Sequence, residues 1–296
     1  MVSIIAGPSV TFDRDILLRI RLPRVFEAVI AGSSLSVAGV IFQGVLKNPL
    51  SDPYILGTSS GALLGAIICF MSGIGHSNVL FYPVVVFFAF GATVSSYFLA
   101  RTDKNVSNVN LLLAGVVVST FLTALVIAYL TLNRENALNI FSFVMGGFYQ
   151  TDKTVLAVAF VFSMAGIITA GILSRYLDVM SLGDEKAVQL GLDANKIKFI
   201  FFGLAALITG CAVSVSGTIG FVGLLVPHVA RLIFGPAHLR LLLVSGIGGA
   251  VFLILADCIA RSVFSPAELP VGIITALSGA PFFLWLLRRS RANASE

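Results

Sequence analysis

The sequence predicts an all-α polytopic membrane protein, and three observations carry that class. The 296-residue chain is 57% hydrophobic and only 11% charged, less than half the charged share of a typical soluble domain. Its mean hydropathy is +1.00. Its apolar residues fall into long runs, many near the length of about 20 residues that a helix needs to cross a bilayer. This pattern excludes a disordered chain, a soluble enzyme with one core and a nucleic-acid module. The net charge of +5 says little, because in a membrane protein the placement of charge matters more than its sum. Cys69, Cys211 and Cys258 all lie in apolar runs. Their odd number argues against a disulfide framework, and they read as small packing residues.

In chain order the runs are 25–46, 58–74, 79–100, 109–131, 153–174, 197–213, 222–234, 241–261 and 270–288. That gives nine crossings in a single transmembrane domain spanning 1–296. Two runs, 58–74 and 222–234, are short, and short segments at membrane depth persist only where protein surrounds them. The first 24 residues lack an apolar core and carry Asp13, Arg14, Asp15, Arg19, Arg21 and Arg24, so they are not a cleavable signal. Sidedness follows from Lys and Arg. Arg14, Arg19, Arg21, Arg24, Arg134, Lys153 and Arg261 fall on one side. The larger group falls on the other, including Lys47, Arg101, Arg175, Lys186, Lys196, Lys198, Arg231, Arg240 and Arg288. The second side should be cytoplasmic, which places the C-terminus inside and, with nine crossings, the N-terminus outside. A missing first helix would account for that unusual start.

An internal repeat organises these runs. Gly32, Ser36, Val37, Gly39, Ile41, Pro49 and Gly57 recur at one constant offset as Gly210, Ser214, Val215, Gly217, Ile219, Pro227 and Gly235. The copies begin five crossings apart and so should have opposite orientations. This is the inverted-topology repeat of many transporters, with a pathway expected at the repeat interface. The units run approximately over 25–131 and 197–288, with a cytoplasmic loop at 175–196 between them. Chance matching between Gly- and Ser-rich segments is the alternative.

Four features could carry function. Arg21-Leu22-Pro23-Arg24 precedes the first run. Pro suits a helix start, and arginines there oppose the positive end of the helix dipole, so they point either to an acidic partner or to interfacial anchoring. Asp257 and Arg261 are four apart and can pair on one helix face. Gly115, Ser119 and Thr123 form a small, weakly polar stripe on the fourth run. It could line an aqueous path or admit a close helix, whereas Gly57, Gly61 and Gly65 read as packing. The longest charged loop is Leu182–Asp193. Asp184 and Glu185 suit the start of a short helix, Gly191 its C′ position, and Asp193 the cap of a second helix running into Lys196. Exposed Ala187, Val188 and Leu190 could then dock on a soluble protein.

The chain has no G-x-x-x-x-G-K-[ST] phosphate loop and no His/Cys/Asp cluster at metal-ligand spacing, so no catalytic residue, metal or cofactor is expected. His228 reads as structural. The scarcity of carboxylates within the runs (Glu27 and Asp257, both near ends) weakens an ion-coupled secondary transporter.

The motifs resemble one family. Arg21-Leu22-Pro23-Arg24, Asn48-Pro49-Leu50, Leu111-Leu112-Leu113-Ala114-Gly115, Met145-Gly146-Gly147-Phe148, Gly220-Phe221-Val222-Gly223-Leu224 with Pro227-His228, Ala256-Asp257 with Ala260-Arg261, and Glu268-Leu269-Pro270 with Gly279-Ala280-Pro281 are similar to those of FecCD-type permeases. These are the transmembrane subunits of ABC importers for iron–siderophores, haem and cobalamin. The resemblance covers residues 12 to 289. It implies a second permease copy, two ATP-binding cassette subunits that hydrolyse ATP, and an extracytoplasmic substrate-binding protein, all at a prokaryotic inner membrane. By position, Arg21, Arg24 and Arg261 resemble arginines that meet glutamates of the binding protein. The stretch with Gly183, Asp184, Glu185, Ala187, Leu190 and Gly191 looks like the coupling helices seated on the ATPase. The run with Gly115, Ser119 and Thr123 looks like the pathway-lining helix. Family members commonly have ten helices, which again points to a missing first one. Iron–siderophore is the expected cargo, with haem, cobalamin and oxyanions as alternatives.

Overall fold

Proline, glycine and side-chain caps decide where the apolar runs start and stop. The computed structural model describes residues 16–76, 78–102, 105–133, 137–148, 152–263 and 268–294, with backbone alone at 105, 137–139 and 285–294. Asp13, Arg14, Asp15 and Arg134 lie outside the described residues. Among the described residues twelve α-helices form: α1 Leu22–Leu46, α2 Thr58–Met71, α3 Phe81–Leu99, α4 Asn108–Leu132, α5 Ala137–Met145, α6 Lys153–Ile172, α7 Ser174–Ser181, α8 Asp184–Gln189, α9 Ala194–Ser216, α10 Val222–Phe234, α11 His238–Ser262 and α12 Val271–Ala294. A two-stranded hairpin, β1 Arg101–Thr102 and β2 Asn105–Val106, links α3 to α4. All nine apolar runs are helical, and the protein is an all-α polytopic membrane protein. Six helical stretches are long and apolar enough to cross a membrane, while α2, α10 and the 271–284 part of α12 are shorter.

The helix of α1 starts before Pro23. One π-turn, Leu17–Arg21, runs directly into it, and the Leu22 N–H bonds the Leu17 carbonyl. Proline inside an α-helix removes a donor and clashes with the carbonyl four residues back, and a wider π-turn relieves that clash. The expectation of a helix starting at Pro23 is corrected accordingly.

The helices α1 and α9 sit at the centre. In their most apolar windows 78% and 72% of residues are buried, against 28% for α4 and α6. Lipid tails give little hydrophobic drive to helix association, so close packing of small residues carries it. Where α1 meets α11, a Cβ on Gly32 would overlap the Gly249 carbonyl, and one on Gly249 would overlap the Gly32 carbonyl. The expected packing role of Gly61 and Gly65 fits as well, since both abut the α3 backbone around Val85 and Phe88.

The short helices are completed by unwound chain. The 14 residues of α2 span about 21 Å at ~1.5 Å per residue, short of a hydrocarbon core of about 30 Å. Before α2, residues 47–57 fold back along the helices through a 3₁₀ turn, Pro53–Leu56, and Gly57 lies against Val118 and Ser119 near the middle of α4. Before α10, residues 217–221 do the same, and Gly223 lies against Leu35 and Pro53, level with the middle of α1. Both segments are enclosed, with Ser51, Pro53, Leu56, Gly217 and Ile219 buried, as irregular backbone at membrane depth requires.

The matched pairs of the repeat fall unevenly on this architecture. Gly32/Gly210, Ser36/Ser214 and Val37/Val215 are helical in both copies, but α9 stops at Ser216 while α1 continues to Leu46. Pro49 and Gly57 therefore lie between α1 and α2, whereas Pro227 is inside α10 and Gly235 ends it.

Candidate functional site

The charged residues gather at two ends of the bundle. At one end Arg24 of α1 reaches α11, with Nε donating to Asp257 Oδ1 at 3.0 Å, and its Nη1 contacts Glu268 Oε2 at 2.9 Å. Arg261 contacts the other oxygen of Asp257 at 3.1 Å, which is the i,i+4 pair that the spacing suggested. The Asp257 side chain is only 4% exposed. Two guanidinium groups and two carboxylates thus balance one another across α1, α11 and the segment before α12. The idea of two uncompensated arginines opposing a helix dipole is corrected, since the helix begins earlier and Asp257 neutralises Arg24. Arg21 is exposed and makes no ion pair among the described residues.

At the opposite end α7, α8 and the start of α9 form the charged loop. Gly183, at φ 124°, precedes α8, a backbone conformation that favours glycine. Gly191, at φ 81°, closes it: its N–H bonds the Val188 carbonyl, and the Leu192 N–H bonds the Ala187 carbonyl. This is the paired-bond stop that a C′ glycine permits. Asp193 caps α9 by accepting from the Lys196 N–H at 3.0 Å. The expectation of an exposed Ala187 is corrected: it is fully buried against Met180 and Ala194. Val188 and Leu190 are 60% and 63% exposed, with Glu185 and Lys186 beside them.

Asp184 joins α8 to two lysines while staying partly exposed. Its Oδ1 takes the Lys47 ammonium and its Oδ2 the Lys198 ammonium, each at 2.6 Å. Lys198 is buried and also donates to the Val106 carbonyl at 2.9 Å. Burying such a charge costs several kcal/mol unless bonded partners offset it, and here two oxygens do so. Partial burial by itself would raise the Asp184 carboxyl, but hydrogen bonds and charge from Lys198 and Lys47 outweigh it and hold it below its ordinary value. A second carboxylate of the loop, Asp178, accepts from the His238 backbone N–H at 2.9 Å and meets its Nδ1 at 2.7 Å, tying α7 to the start of α11.

Between these ends the stripe on α4 divides. Gly115 is buried, with no room for a Cβ beside the Ile55 carbonyl, so it packs on the 3₁₀ turn. Ser119 is half-buried. Thr123 is exposed and hydrogen bonds Ser60 of α2 at 3.2 Å. No charged residue occurs on α4. His228 packs beside Phe282 and Phe283. Among the described residues no group of three or more His, Cys, Asp or Glu is placed to hold a metal ion.

Comparison with known proteins decides the family. The model of the FecCD transport family matches residues 1–289. The chain belongs to the FecCD transport family. Among relatives, an uncharacterized ABC transporter permease protein of Bacillus subtilis is 41% identical, covering 82% of this chain and 70% of that protein. The hemin transport system permease protein of Yersinia pestis is 39% identical, over 95% of this chain and 85% of that one. Among solved structures, an ABC transporter provisionally assigned to the metal-chelate type, in an inward-facing conformation, superposes with a TM-score of 0.87 at 30% identity, covering 96% of this chain and 91% of that one. FecCD proteins are membrane-spanning permease subunits of ABC transporters, whose ATPase is a separate subunit.

Several residues that shape this FecCD permease escaped the sequence reading: Lys47, Lys198, Asp178, His238, Tyr54 and His76. Only Lys47 carries a retrospective local signal, as a lysine where a helix stop would ordinarily place glycine. The Met145-Gly146-Gly147 motif of the FecCD resemblance gains a physical basis. It ends α5 at a three-way backbone junction: Gly147 N–H bonds the Ser216 carbonyl, Thr218 N–H bonds the Phe143 carbonyl, and a Cβ on Gly217 or Gly272 would overlap carbonyls at the end of α5.

Proposed function

We propose that this chain is the permease of a binding-protein-dependent ABC importer, acting as a dimer with a second permease copy and two ATP-binding cassette subunits. It moves cargo into the cytoplasm by ATP-driven alternating access, and ferric iron–siderophore complexes are the expected cargo, ahead of haem, cobalamin or an oxyanion. The end carrying α8 and the C-terminus is then cytoplasmic, and the end carrying Arg21, Arg24 and Arg261 receives the binding protein. The helices 25–131 and 197–288 work as inverted units, with α4, which carries Gly115, Ser119 and Thr123, as the helix of the path.

The observation that carries this reading is the exposed Val188 and Leu190, on α8 and at its C-cap. Exposed apolar side chains beside Glu185 and Lys186, in the loop richest in charge, suit a soluble partner better than lipid. The uncharged α4 with its hydroxyls suits a large chelated cargo more than a bare ion. Val188→Asp with Leu190→Asp tests the ATPase contact: the co-expressed ATPase should fail to co-purify and ATP-driven uptake in liposomes should stop. Retained co-purification with normal uptake overturns this role. Cargo is tested by the ligand that the cognate binding protein carries, and a ligand without iron overturns the siderophore assignment alone.

A further inference from the structure

One helix carries an ionic contact at each end. At its outer end α1 is tied by Arg24 to Asp257, and just past its inner end Lys47 is tied to Asp184 on α8. Both contacts belong to one helix of 25 residues, mostly buried, with no proline after Pro23. Such a helix moves as one piece. Lys47 holds a left-handed backbone, φ 53°, at the position where a helix stop usually places glycine, and a side chain there is disfavoured. That conformation brings its ammonium to Asp184. The other oxygen of the same carboxylate is held by buried Lys198, so α8 keeps an anchor that does not depend on Lys47.

We propose that the Lys47–Asp184 contact is the joint that passes movement of α8 to α1, so that the surface around Arg24 and Asp257 responds to the partner seated on α8. Lys47 is then a positioning residue that acts through Asp184. The proposal rests on the importer reading above.

The test uses the whole transporter in liposomes: permease, co-expressed ATPase and cargo-loaded binding protein. Lys47→Asn removes the ammonium while keeping a residue that tolerates the left-handed backbone. The ATPase should co-purify in wild-type amount and its basal hydrolysis should be unchanged. Stimulation by the loaded binding protein should fall about tenfold, within the usual span of coupling between sites. Lys47→Arg should restore it. Full stimulation in Lys47→Asn overturns the joint. So does an equal fall in basal and stimulated hydrolysis with the ATPase still co-purifying, which places the effect of Lys47 on hydrolysis itself and not on its response to the binding protein. A wild-type permease that carries no ATPase overturns the importer reading itself, and the joint with it.

Discussion

The Tyr54 hydroxyl and the backbone of Ile219 satisfy each other, the hydroxyl donating to the Ile219 carbonyl and accepting from its N–H, both at 2.9 Å. The two residues belong to the two unwound segments that precede α2 and α10. Tyr54→Phe keeps the ring and strands both polar groups of a buried residue. The loss should be about 2–3 kcal/mol, read as a lower melting temperature of the detergent-solubilised protein with helix content retained. An unchanged melting temperature would show that the pin is dispensable.

The crossing of α1 and α11 predicts a sharp contrast between glycines. Gly32→Ala pushes a methyl into the Gly249 carbonyl and should destabilise by about 1–3 kcal/mol, the usual cost of overpacking. Gly220→Ala has open space around it and should be near neutral. Thermal aggregation followed by size-exclusion chromatography separates the two.

His76 predicts an acid sensitivity. Its ring packs against Phe70, Phe81 and Phe143, and burial lowers the imidazole from its ordinary 6.5 to about 4. Below 6.5 the unfolded chain takes up a proton that the folded chain refuses until about 4. Stability therefore rises with pH across this window: the contribution is full above 6.5 and is lost progressively as pH falls to 4. Melting curves at several pH values should show this slope, and His76→Phe should flatten it.

The arginines at the Asp257 end should separate into two kinds. Arg24→Ala leaves Asp257 with Arg261 alone and removes a charged hydrogen bond to buried Asp257, typically worth about 1.5–3 kcal/mol, while the exposed Glu268 contact adds less, so melting temperature should fall. Arg21→Glu touches no described partner and should leave stability alone while weakening, in a salt-dependent way, the binding protein's association measured by surface plasmon resonance. A stability loss in Arg21→Glu, or unaltered association, contradicts the division.

What the sequence disclosed follows from distance along the chain. Every apolar run became a helix, and Gly191, Asp193 and the Asp257–Arg261 pair could be read locally, because each acts within a few residues of itself. Lys47–Asp184, Tyr54–Ile219 and Arg24–Asp257 join residues separated by 137, 165 and 233 positions, which no local spacing encodes. Ala187 was misplaced because a six-residue helix is too short for periodicity to fix its inner face. Gly115 packs on Ile55, 60 positions away along the chain, and that contact too is beyond local spacing.

Asp257 lies between two guanidinium groups that both depend on it. A further carboxylate at this end meets cations whose charge is already largely balanced, since Arg24 is bonded to both Asp257 and Glu268 and Arg261 to Asp257. A new pair here shares its guanidinium with an existing one, so it gains less than a pair formed with a bare arginine.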